Sequence, residues 1–122
     1  MKTSAVASVL DPTQTGGNAA VWQTVEQTRL KLGIETRGVL HFSWHIAEQY
    51  ESSRVIQILE EIAGNYRPFE VISSGIGIFT GDKPVLYLPV VKTLCMARLH
   101  NDLWDALEPV SLGSSPLYSP KQ

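Results

Sequence analysis

Cysteine, histidine and net charge are all sparse in this chain, and each scarcity removes a class of function. The single Cys95 excludes an internal disulfide; it has no neighbouring His in sequence and falls in an apolar helix pattern, so it reads as core packing. Three scattered histidines and one cysteine make no metal pattern, and neither Asp102 nor Glu108 stands at a ligand-motif spacing from His100, so no metal and no other cofactor is expected. Ten basic against twelve acidic residues leave a formal charge of -2 without a block of one sign. An extended electrostatic grip on nucleic acid is thereby unsupported, and any RNA would be held locally. No signal peptide and no apolar run of membrane-spanning length is seen, which fits a reducing cytoplasm and no membrane partner.

What is present suits one soluble domain or lobe: 122 residues, 43% of them hydrophobic and 18% charged. A Val/Ala/Leu run over residues 4–10 ends at Asp11-Pro12 and reads as a first strand with its exit loop. Gly16-Gly17 follows, but no Gly-x-x-x-x-Gly-Lys-Ser/Thr accompanies it, so a nucleoside triphosphate site is rejected. Trp22, Val25 and Leu32, with Val21 and Ala19, recur at helical spacing over residues 18–32, and Gly33 stands where a helix stops. A second helix is capped by Ser52 or Ser53, carries Val55, Ile58, Leu59, Ile62 and Tyr66 on its apolar face, and is closed by Pro68.

Residues 69–79 alternate loosely, with Gly75 and Gly77 hinting at a bulge or a close approach by another backbone or a ligand. Thr80-Gly81-Asp82-Lys83-Pro84 is turn chemistry, and Val85-Leu86-Tyr87-Leu88, with Val90-Val91 beyond Pro89, is a strongly apolar strand. Together these predict a hairpin with a five-residue loop. Thr93 caps a third helix with Met96, Leu99, Leu103 and Leu107 on one face and Trp104 alongside, ending before Pro109. Residues 111–116 turn to Ser, Gly and Pro, so a domain is expected over residues 1–110 and a loop over 111–122.

The stretch with chemistry in it is Leu40-His41-Phe42-Ser43-Trp44-His45-Ile46. Polar and apolar residues alternate strictly from His41 to Ile46, the period of a half-buried strand, so His41, Ser43 and His45 share one face and Phe42, Trp44 and Ile46 turn to the core. His41 and Ser43 then lie about 6–7 Å apart along the strand and point together over the sheet. An imidazole can pass a proton to or from a leaving oxygen while a hydroxyl donates to a phosphate oxygen, a pairing suited to phosphoryl chemistry without a metal. His45 falls about 13 Å beyond His41 along the strand and is expected to be peripheral.

The order strand, helix, strand, helix, hairpin, helix is α+β, with a largely antiparallel sheet covered by helices on one face and the other face left for a site. In that order, and through His41-Phe42-Ser43-Trp44, Arg67-Pro68-Phe69, Gly75-Ile76-Gly77-Ile78-Phe79 and Arg98-Leu99-His100, the chain resembles the two-histidine (2H) phosphoesterases. That family includes the 2'-5' RNA ligase-like enzymes and cyclic nucleotide phosphodiesterases. The resemblance implies a bilobal fold in which two His-x-Thr/Ser motifs face each other across a cleft, with His41 and Ser43 as one catalytic pair. It also implies RNA or a nucleotide bearing a 2',3'-cyclic phosphate or 2'-5' linkage as substrate, handled by one His as general base and another as general acid.

This sequence has one such motif, because His45-Ile46-Ala47 and His100-Asn101-Asp102 both fail the pattern. A partial form of the fold is therefore expected, with Leu117-Tyr118-Ser119-Pro120 resembling the lead-in to a second motif. By itself such a half would be inactive and would expose a lobe interface through which a homodimer could form. The reading from another class is a noncatalytic binding or interaction domain that keeps the fold.

Overall fold

A computed structural model describes residues 3–9, 26–31, 41–73 and 75–121. The expected exit loop, Gly16-Gly17 and most of the first predicted helix lie outside these residues; residues 26–31 are helical (α1) and hold an i, i+3 ion pair between Glu26 and Arg29. The remaining elements are β1 (Ser4–Val9), β2 (His41–Ala47), β3 (Gln49–Tyr50), α2 (Ser52–Gly64), β4 (Gly77–Phe79), β5 (Val85–Tyr87), α3 (Leu94–Leu107), a 3-10 turn (Glu108–Val110), β6 (Ser111–Leu112) and a second 3-10 turn (Pro116–Tyr118). The fold is α+β. Among the described residues its strands form three two-stranded sheets, β1-β2, β3-β6 and β4-β5, of which the last two are antiparallel. No helix among them is long and apolar enough to cross a membrane.

The described residues fall into two compact units. One gathers 3–8, 41–70 and 92–121; the other holds the described parts of 9–40 and 71–91.

In the first unit α3 supplies most of the core. Thr93 caps it as expected, its hydroxyl accepting from the Met96 amide at 3.2 Å, and Met96, Leu103, Trp104 and Leu107 are buried. Along α2 four of the residues assigned to the apolar face, Val55, Ile58, Leu59 and Ile62, are the half-buried ones, while the rest of the helix is exposed; the fifth, Tyr66, is half-buried just beyond its end. Its boundaries differ from expectation. Glu51, not a serine, occupies the N-cap position, and its side chain makes no cap bond. Its amide is instead held by the Val110 carbonyl at 2.9 Å, so a long-range backbone bond starts the helix where a local cap was expected. The helix also ends at Gly64 rather than running to Pro68, because Pro68 has no N–H to return to the Gly64 carbonyl.

β2 is covered on both sides along its second half. Trp44 is buried on one face, edge-on to Phe42 at 5.0 Å, with its indole N–H donating to the Ser8 hydroxyl of β1 at 2.8 Å. The expected assignment of Phe42 and Trp44 to one face holds. The opposite face is not left open, however, since His45 is wholly buried. One edge of β2 is closed as well: the Trp44 carbonyl accepts from His100 Nε2, and the Ile46 carbonyl accepts from the Ser115 amide at 2.8 Å. Blocked carbonyls cannot recruit a further strand. Residues 111–121, whose composition reads as a loop, thus include β6 paired on β3, Gln49 opposite Leu112 and Tyr50 opposite Ser111.

The second unit holds the predicted hairpin, with Gly77, Ile78 and Phe79 opposite Tyr87, Leu86 and Val85 and five residues in the loop. Ser73 bridges Val90, so the step from 73 to 77 on one strand faces the shorter step from 87 to 90 on the other. This one-residue mismatch is the bulge suggested by the glycines, and Gly75 adopts a positive φ of 135° within it. The Tyr87 ring lies directly over Gly77, where an added Cβ would fall 2.3 Å from Cζ, and it stacks on Phe79 at 4.4 Å.

The fully buried Leu107 closes the α3 core. Leu107→Ala is expected to lower unfolding free energy by about 3 kcal/mol, against less than about 0.5 kcal/mol for Ile56→Ala on the exposed side of α2. Urea titration of both variants checks the placement of the core, and equal losses would contradict it.

Candidate functional site

The polar face of β2 is graded along its length. His41 is exposed at the start of the strand, Ser43 is half-buried, and His45 is fully buried. Alternation in an extended backbone keeps all three on one side, so His41 and Ser43 are presented together.

His45 is consumed by structural bonds. Its Nδ1 is 2.6 Å from the Tyr50 hydroxyl and its Nε2 is 2.9 Å from Glu108 Oε1, while the Trp104 ring covers it at 4.7 Å. A carboxylate only accepts, so Nε2 carries the proton donated to Glu108, and in the neutral ring Nδ1 accepts from Tyr50. Both polar ends of a side chain with no solvent access are thereby satisfied.

Glu108 stands at the C-terminal end of α3, where the helix dipole disfavours a negative charge. Its carboxyl is nevertheless held below the usual range, chiefly by a hydrogen bond from Ser114 and then by His45, against the opposing effect of burial. Burial, and secondarily the Glu108 charge, pushes the Tyr50 phenol up to about 12. Neither Tyr50 nor Glu108 was marked by the sequence as a partner for His45. The signal that was available is the spacing His100, Trp104, Glu108: at i, i+4 and i+8 they form one stripe of α3 and its C-cap, and all three meet β2.

His100 is also engaged. Its Nε2–H lies 3.1 Å from the Trp44 carbonyl and 2.7 Å from the Tyr118 carbonyl, joining α3, β2 and the last 3-10 turn. Cys95 is half-buried on α3. Lys83 lies in the exposed hairpin loop. A recess of about 450 Å³ between α2 and α3 is lined by Ile58, Ile62, Tyr66, Asp102 and Asp105 among others, and includes neither His41 nor Ser43. Across it Tyr66 donates to Asp102, and that bond, more than burial, raises the Tyr66 phenol to about 12. Among the described residues no three His, Cys, Asp or Glu side chains converge as metal ligands.

Residues 18–120 match the sequence model of the 2'-5' RNA ligase superfamily, which spans most of the chain. The chain belongs to that superfamily, and membership points to RNA or nucleotide substrates. No curated protein and no solved structure gives a match.

Two outcomes follow from the buried ring. His45→Ala removes a packed side chain and leaves a void under Trp104, so it is expected to destabilise by about 2–4 kcal/mol in urea unfolding, with His45→Gln milder. A phenol whose folded value is raised is held protonated by the fold; its contribution is complete below the unfolded value near 10 and is lost as pH rises toward about 12. The phenolate absorbance of the native protein should therefore develop later on alkaline titration than that of the unfolded chain, and Tyr50→Phe and Tyr66→Phe should each remove a late-titrating phenol.

Proposed function

We propose that His41 and Ser43 form one half of a metal-free phosphoesterase site that acts on an RNA-type 2',3'-cyclic phosphate or a 2'-5' linkage. The observation behind this reading is exposure along the site strand: His41 is exposed at its start with half-buried Ser43 on the same side, whereas His45 has no solvent access. In hydrolysis of the cyclic phosphate, the oxygen of water bonds to phosphorus and the bond to the 2' or 3' oxygen breaks. One imidazole takes the proton from water and a second gives one to the departing oxygen. His41 fills one of these roles. The Ser43 hydroxyl donates to a non-bridging phosphate oxygen, where charge builds as the new bond forms. When a 5'-hydroxyl takes the place of water, its oxygen bonds to phosphorus, the bond to the 3' oxygen breaks, one imidazole takes the hydroxyl proton and the other gives one to the 3' oxygen, and a 2'-5' linkage is left. Imidazole is the side chain best suited in general to both taking and giving a proton near neutrality.

The second imidazole has to come from another His-x-Ser/Thr motif, and these 122 residues include only one. That observation favours a second reading, a noncatalytic binding domain that keeps the fold. A homodimer pairing two His41 faces would supply the missing group. Exposed apolar side chains of the first unit, Leu94, Leu112 and Leu117 among them, are material for association.

In a complete or assembled enzyme, His41→Ala should lower turnover of a 2',3'-cyclic nucleotide by about 10² to 10⁴ with the fold intact, and Ser43→Ala should cost less. Turnover of the His41 variant close to that of the parent would reject the catalytic assignment. Sedimentation and the same assay across protein concentration test the assembly. Activity of these 122 residues should be absent in the monomer and rise only with association; full turnover by a monodisperse monomer would refute the requirement for a second motif.

A further inference from the structure

We draw no further inference here: the strongest candidate, the recess between α2 and α3 rimmed by Glu61, Asp102 and Asp105, carries nothing, because Asp102 already accepts from Tyr66 and Asp105 from Lys121 and nothing in the structure shows what would fill it.

Discussion

An imidazole can occupy a protein core only where both of its nitrogens find partners, and the first unit of this protein is arranged around that requirement. His45 has no solvent access, and its two partners come from opposite directions, Tyr50 from β3 and Glu108 from the end of α3. Once these contacts form, the continuation of β2 into β3, the approach of α3 and the return of β6 onto β3 are mutually consistent. Replacing any one partner leaves polar atoms in a site without water, which is why the ring acts as a constraint and not merely as a contact.

The same arrangement distinguishes chemistry from architecture on a single strand. His41, Ser43 and His45 share a side of β2, yet the cover supplied by Trp104 reaches only the far end. Exposure therefore increases toward the start of the strand, and burial increases toward its end, where the strand is fixed. Packing that anchors one end of a strand holds the rest of it rigid. Closing one edge of β2 with His100 and Ser115 serves the same purpose, since it limits both fraying and pairing with other chains.

Local patterns carried much of this in advance. The i, i+3, i+4 spacing of apolar residues marked the buried side of α2 and α3, Thr93 marked the start of α3, and the Thr80-to-Pro84 turn marked the β4-β5 hairpin, because each depends on residues a few positions apart. Strict alternation likewise placed Phe42 and Trp44 together and opposite His45. The superfamily was legible for the same reason, being carried by short motifs in a fixed order.

Burial of His45 was decided by tertiary structure alone. Period two assigns a face but not what covers it, and Glu108 lies 63 positions away. The start of α2 was decided the same way, by a backbone bond from Glu51 to Val110 in place of a serine cap, as was the fate of residues 111–112, whose loop-like composition pairs as β6. Sequence by itself determined the elements and their apolar faces. Only the packed chain decided which histidine is exposed and which is buried, because a side chain's access to solvent depends on residues that no local spacing can bring into view.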